Sequence, residues 1–446
     1  MSSRYRSRTV RLAAILATAV LALTACGSDS SDDDTSNAGS PTDVQAALDA
    51  GGKVTVWAWE PTIKDVVTAF EAKYPKVDVE LVNAGTGNDQ YTALQNAITA
   101  GSGVPDVAHI EYYALPQFAL AKSLADLRPY GAGDLNGVFT PGPWAGVHAG
   151  EGIYGLPMDS GPMALFYNEE VFEKYDVAIP TTWTEYVDAA RKLHAADPKV
   201  YITNDTGDAG FTTSLIWQAG GRPYKVDGTN VSINFTDPGS TQFADTWQTL
   251  IDEKLIAPVN SWSDGWYKGL GDGTIATLAI GAWMPANLES GVAAAKGKWR
   301  VAPLPQWQAG AKTSAENGGS ALSVMEASQN KALAYAFVDY ANRGEGAKIR
   351  IDGGAFPATV VDLQSPEFLG KTFDYFGGQK ANEVLAASAQ SVAEGWTYLP
   401  FQVYANSIFN DTVGKAYVSS TKLKEGLAAW QDASRKYGTE QGFTVS

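Results

Sequence analysis

The chain has one cysteine, Cys26, and three histidines, His109, His148 and His194. A single thiol excludes an internal disulfide and a cysteine metal site, so the fold must stand on its own core. The histidines are scattered without ligand spacing, which points to structural or solvated roles and to no resident metal. A Gly-x-Ser-x-Gly elbow and a phosphate-binding loop are both missing, and with them the usual signatures of a serine nucleophile or a nucleotide cofactor. Basic residues are outnumbered, 33 Lys and Arg against 49 Asp and Glu. That balance argues against nucleic acid and anionic lipid as partners. Beyond the first 26 residues, no apolar run is long enough to cross a bilayer.

What is present begins with an export signal. Arg4, Arg6, Arg8 and Arg11 form a basic start, Leu12 to Leu23 a short apolar core, and Leu23-Thr24-Ala25-Cys26 the end. Those last four residues, followed by Gly27, resemble a bacterial lipobox. Cleavage would remove residues 1–25 and leave lipid on Cys26, anchoring the protein to the outer face of the cytoplasmic membrane; a plain secretory signal is the alternative. Removing residues 1–25 takes away four arginines and no acid, so 29 basic residues face 49 acidic ones. Residues 26–50, with Asp29, Asp32, Asp33 and Asp34 among Ser, Thr, Asn and Gly, read as a disordered acidic tether.

About 400 residues remain, enough for two core-bearing domains. Lys53 to Trp57 predicts a strand. Ile63, Val66, Val67, Phe70 and Tyr74 recur at helical spacing up to Pro75, Val77, Val79 and Leu81 alternate, Tyr91 to Ile98 marks a helix ended by Gly101, and Val107 to Glu111 is a third strand. Strand and helix alternating in this way predict an α/β lobe on a mainly parallel sheet. Ligands in such sheets sit beyond the strands' carboxyl ends, here Trp57, Trp59 and Glu60 after the first strand and Glu111, Tyr112 and Tyr113 after the third. Core packing is the competing role for each tryptophan.

The stretch Gly152 to Tyr175 breaks at Gly155 and Pro157 and resumes as the apolar run Met163 to Tyr167. Its polar bend, Asp159-Ser160-Gly161, suits a crossing between lobes. Further on, Thr182 and Glu185 stand at capping-box spacing ahead of a helix that takes Trp183 into packing. Ser261 to Tyr267 is dense in aromatics without a period, either a cleft wall or a self-packed loop. Ile275 to Ile280 predicts a buried strand with Trp283 held just beyond it.

Val54 to Trp57 with its helix, Gly103-Val104-Pro105-Asp106-Val107, Gly155-Leu156-Pro157 through Leu165-Phe166-Tyr167-Asn168, Pro180 to Glu185 and Gly281-Ala282-Trp283 together carry a family resemblance. The chain resembles the extracellular solute-binding proteins of bacterial carbohydrate ABC importers, which include the maltodextrin-binding proteins. The resemblance implies two α/β lobes of the periplasmic-binding-protein type II kind, each on a mainly parallel sheet, with three hinge crossings closing on a saccharide. Lobe one would be 53–158 plus 313–356 and lobe two 162–302 plus 360–446, with hinges near 158–162, 303–312 and 355–359. The implied ligand-binding residues are Trp59, Glu60, Glu111, Tyr112, Asp159, Ser160, Asp208, Trp283, Trp396 and Gln402, with Tyr398 beside them. The implied partners are a di- to tetrasaccharide and the membrane permease subunits of an importer, the protein acting as a monomer without a cofactor. Maltodextrin-binding members carry a lysine close after the first strand, whereas this chain has Trp59-Glu60-Pro61, so maltose specificity does not transfer.

The composition agrees on its own terms. A pyranose offers C–H faces to aromatic planes and a rim of hydroxyls to carboxylates and amides, and 13 Trp and 20 Tyr supply such planes; most are expected in the core, with about three to five touching the ligand. Two other readings compete. A surface-anchored glycoside hydrolase would use a carboxylate pair drawn from Glu60, Glu111 and Asp159. A trap for an amino acid or peptide would need an arginine for the ligand carboxylate.

Overall fold

The structure is a computed structural model that describes residues 41–204 and 208–446. The export signal, Cys26, the tether up to residue 40 and Asp205 lie outside the described residues. The expected tether is too long as read: Pro41–Ala50 is a helix, α1. Val44, Ala47 and Leu48 form a small apolar stripe that packs on the first core. A stripe of three residues in an otherwise polar segment is too faint to read from periodicity.

The first lobe follows as β1 (Gly52–Trp57), α2 (Ile63–Lys73), β2 (Val77–Val82), α3 (Asn88–Ala100) and β3 (Val107–Glu111). Helix α2 forms because Ile63, Val66, Val67 and Phe70 make one buried face. Helix α3 ends where Gly101 takes a left-handed φ of 65°. Phe70 is fully buried against Phe337 and Tyr340, at ring separations of 5.3 and 5.1 Å. Phe70→Ala should therefore cost about 3–5 kcal/mol in denaturant unfolding through the cavity it leaves.

After β4 (Leu156–Pro157) the chain crosses over and builds the second lobe with β5 (Met163–Asn168), α4 (Trp183–Ala196), α5 (Ala209–Gln218), β6 (Thr277–Gly281) and β7 (Trp299–Ala302). It then returns as β8 (Ser320–Val324), α6 (Lys331–Asn342) and α7 (Gly344–Asp352). The expected capping box forms on α4: Glu185 N–H donates to Thr182 Oγ1 at 3.2 Å and Thr182 N–H to the Glu185 carboxylate at 3.3 Å. Trp183 is buried, with Trp247 and Trp307 packed around it.

The first sheet has the order β2-β1-β3-β8-β4. Strands β1, β2 and β3 are parallel, and the returning β8 is antiparallel to both β3 and β4. The second sheet, β6-β5-β7, departs from the expected parallel arrangement, for both neighbours of β5 are antiparallel to it. The crossing explains the difference. Strand β5 leaves the crossing, while β6 and β7 run back toward it, Gly281 lying beside Met163 and Ala302 beside Leu165. Trp283 and Leu304 are thereby delivered to the same edge.

The core divides accordingly. One cluster runs from Val54 to Met158 and resumes at Ala321, and two others are built from residues after Met163. Ala315 belongs to the second-lobe core and Ala321 to the first, so the second crossing falls between them and not at 303–312. Residues 303–312 are retained in the second lobe, where Gln306 N–H donates to Thr181 O and Trp183 N–H to Gln306 O. The first two crossings lie side by side: Met158 N–H donates to Ser320 O at 2.8 Å and Asn317 N–H to Gly161 O at 2.8 Å. A Cβ on Gly161 would sit 2.3 Å from Asn317 O, so only glycine allows this approach.

Candidate functional site

Strand ends of the first lobe bring four of the expected residues together. Trp59 lies flat on the His109 imidazole, with ring centroids 3.6 Å apart and planes 14° apart, and its edge meets Tyr91. The Tyr91 hydroxyl donates to Glu111 Oε2 at 2.9 Å and accepts from the Glu111 N–H at 2.9 Å. Burial raises the Glu111 carboxyl above its ordinary range, Tyr91 and Tyr113 partly opposing the shift. Tyr112 is buried, and its hydroxyl donates to Asp159 O at 2.6 Å.

Asp159 braces the crossing: its Oδ1 accepts from the Ser320 N–H at 2.6 Å and from Ser320 Oγ at 3.0 Å. The same hydroxyl lies 2.8 Å from His109 Nε2. Burial and the nearby Arg350 push His109 well below the usual histidine range, so the ring is neutral; because the Ser320 hydroxyl gives its proton to Asp159, it accepts from His109 Nε2. A hydrogen-bonded line thus joins Asp159, through Ser320, to the imidazole beneath Trp59.

Glu60 is held from two sides, by Thr62 Oγ1 at 2.6–2.7 Å and by Arg350 Nε at 3.6 Å. Arg350 itself is buried and donates to Met158 O at 2.5 Å. Ser160 is buried as well, donating to the Glu316 carboxylate at 3.0 and 3.2 Å, while Gly161 N–H donates to Glu316 Oε2 at 2.6 Å. Burial pushes the Glu316 carboxyl up to about 8. Ser160 therefore spends its hydrogen-bonding capacity on the hinge.

From the second lobe, Asp208 caps α5 by accepting from Gly210 N–H at 2.7 Å. It reaches the surface, yet the protein around its carboxyl raises it above the ordinary aspartate range. Its charge in turn raises Glu111 and Tyr113. Trp283 is fixed by its Nε1–H, donated to Asn317 O at 2.7 Å, and stacks on Trp262. A Cβ on Gly281 would lie 2.5 Å from that indole nitrogen, so the residue before Ala282 must stay glycine.

Trp396 stacks on Trp217 with centroids 5.1 Å and planes 6° apart, next to Tyr398. Together with Tyr112, Trp144 and Glu316 these rings line a cavity of about 780 Å³, the size of a small-ligand site. Trp283 lines a separate cavity of about 880 Å³ with Ile351 and Phe356. Of the expected residues, Tyr112 and Trp396 line the first of these cavities and Trp283 the second; Trp59, Glu60, Glu111, Asp159, Ser160 and Asp208 line neither, and nor does Gln402. It is buried in the second lobe, accepts from Leu399 N–H at 3.2 Å and donates to Asn406 at 2.9 Å.

Sequence reasoning missed Arg350, Glu316 and Tyr91. Arg350 stands in a helix whose polar residues all look solvated, and Glu316 in the polar run Ser314 to Gly319; only coordinates reveal that both are buried. Among the described residues, no group of three or more His, Cys, Asp or Glu is placed to hold a metal. No helix there is long and apolar enough to cross a membrane.

Comparison with known proteins adds three kinds of finding. The family described as "Bacterial extracellular solute-binding protein" matches residues 57–348. A "Lactose-binding protein" of Rhizobium radiobacter is 26% identical over 411 residues, 85% of this chain and 92% of that protein. A solved structure of the ABC transporter associated binding protein from B. animalis subsp. lactis Bl-04, in complex with beta-1,6-galactobiose, is 46% identical with a TM-score of 0.78. It covers 88% of this chain and 99% of the other. The galacto-N-biose-/lacto-N-biose I-binding protein of Bifidobacterium longum, in complex with lacto-N-biose, is 26% identical with a TM-score of 0.77. There the cover is 89% of this chain and 99% of the other.

Proposed function

Because this chain belongs to the bacterial extracellular solute-binding proteins, we propose that it captures a di- to tetrasaccharide outside the cell and presents it to the membrane subunits of an ABC importer. The carrying observation is the set of aromatic planes in both lobes, Trp59 at the first-lobe strand ends, Trp396 on the first cavity and Trp283 on the second, together with the carboxyls of Glu111, Asp159 and Asp208 raised by burial. The 46% identity to a protein solved with beta-1,6-galactobiose makes that disaccharide the first ligand to test. The lobes hinge on residues 158–162, 316–320 and the passage from Ile351 to Leu363, and saccharide bridging the cleft favours the closed form by its differential affinity. Of the expected contacts, Trp59, Glu111, Tyr112, Asp208, Trp283 and Trp396 offer rings or carboxyls to the sugar, while Ser160 and Gln402 support them from behind. The protein works as a binding protein without turnover, as a monomer.

A thermal-shift panel of saccharides, amino acids and divalent metals tests this reading, because a ligand bound only by the folded state raises the melting temperature. Saccharides alone should do so. A shift from an amino acid or a metal, with none from any sugar, would overturn it. Lipid on Cys26 anchors the protein, so Cys26→Ser should move it from the membrane fraction to the medium while leaving saccharide affinity unchanged; retention in the membrane would contradict the anchor.

A further inference from the structure

Trp262 holds a backbone conformation that its side chain disfavours. Its φ of 69° lies in the left-handed region, where a bulky aromatic is a genuine outlier. Such strain persists only where the surroundings impose it, and it gathers at ligand sites. The imposing groups are visible. Asn204 Nδ2 donates to Ser261 Oγ at 2.8 Å and to Val259 O at 3.3 Å, while Trp266 Nε1 donates to Asn204 Oδ1 at 3.0 Å. Just after the strained residue, Ser263 Oγ accepts from Trp266 N–H at 3.2 Å, fixing the start of the next helix.

All this holds a ring that is left 47% exposed, whereas its neighbour Trp266 is fully buried. The Trp262 indole stacks against Trp283, with centroids 5.8 Å apart and planes 30° apart, and rests on Trp266 at 4.8 Å. Beside it is a notch of about 20 Å³ that it shares with Asp208 and Asn317. Asn317, whose carbonyl accepts from Trp283 and whose N–H donates to Gly161 O, puts this edge at the crossing between the lobes. Core packing does not account for a ring kept half in water. A plain turn does not need a ring at all, for glycine or asparagine would hold this φ without strain.

We propose that Trp262 is a saccharide-contact residue that packs against Trp283 and offers its exposed face to the sugar unit adjacent to the one on Trp283, setting how many units are held tightly. The proposal rests on the saccharide reading of the cleft. Calorimetric titration of the wild type, Trp262→Gly and Trp262→Phe with β-1,6-galactobiose and its trisaccharide homologue tests it. Trp262→Gly relieves the strained φ but gives up the half-buried indole, so its melting curve is recorded alongside to show that the variant is folded when titrated. Its dissociation constant should rise roughly fivefold for the disaccharide and further for the trisaccharide, by loss of one stacking face. Trp262→Phe keeps a face and should stay within about threefold of wild type. Unchanged binding by Trp262→Gly, or a Phe variant as weak as the Gly variant, overturns the contact role and leaves the saccharide reading intact. A wild type that binds no saccharide overturns both.

Discussion

Trp283→Ala should weaken saccharide binding by roughly 30- to 100-fold, a loss of about 2–3 kcal/mol. The estimate has two parts. Stacking against an aromatic face is worth about 1 kcal/mol beyond area burial, and covering a half-buried indole removes further apolar surface at about 25 cal/mol per Å². The ring is rigid before ligand arrives, because its N–H is committed to Asn317 O and its flank to Trp262, so binding costs little side-chain entropy. The fold should survive, since Trp283 is only partly buried and packs at the margin of its core cluster. Trp283→Phe separates the contributions: it keeps a stacking face and loses the hydrogen bond, and should fall between the wild type and the alanine variant. Calorimetry on all three checks the order. An alanine variant with an unchanged dissociation constant would remove Trp283 from the site.

The second large effect concerns pH. Glu316 is buried between the crossings, and burial raises its carboxyl from the ordinary 4.5 to about 8. In that window the folded state keeps a proton that the unfolded chain has released. Stability from this group is therefore complete below about 4.5 and declines as pH rises toward 8; the full span corresponds to about 5 kcal/mol. Glu316→Gln removes the titration while retaining an acceptor for Gly161 N–H and a partner for Ser160. The wild type should thus lose several degrees of melting temperature between pH 5 and pH 8.5 relative to the variant. Asp159 and Glu111 are raised in the same direction, so the variant keeps a shallower slope of the same sign. Parallel melting curves for the two proteins across this range would show that Glu316 is already ionised in the fold.

The first lobe was legible because its signals are local. Ile63, Val66, Val67 and Phe70 announce α2 by their spacing and Gly101 ends α3; in the second lobe the start of α4 was legible for the same reason, Thr182 and Glu185 being three residues apart. The second sheet was not legible, since the direction of β6 and β7 beside β5 follows from where the chain crosses between lobes. Residues 303–312 misled for a related reason. The family resemblance implied a hinge there, but Gln306 and Trp307 bind them to Thr181 and Trp183, more than 100 positions earlier. At the site, residue type found the aromatic rings and the carboxylates, while burial decided their roles. Ser160 and Gln402 read as ligand contacts until their partners, Glu316 and Leu399, are seen to occupy them, and Arg350 and Glu316 gave no sign in sequence that they were inside.

Calorimetric titration of residues 39–446, which form one compact unit, with β-1,6-galactobiose tests the central claim most directly. The account predicts one-to-one binding with a dissociation constant of about micromolar or tighter, with the disaccharide recovered intact afterwards. Folded protein that gives no heat with this or any other saccharide, or that returns cleaved sugar, would contradict it.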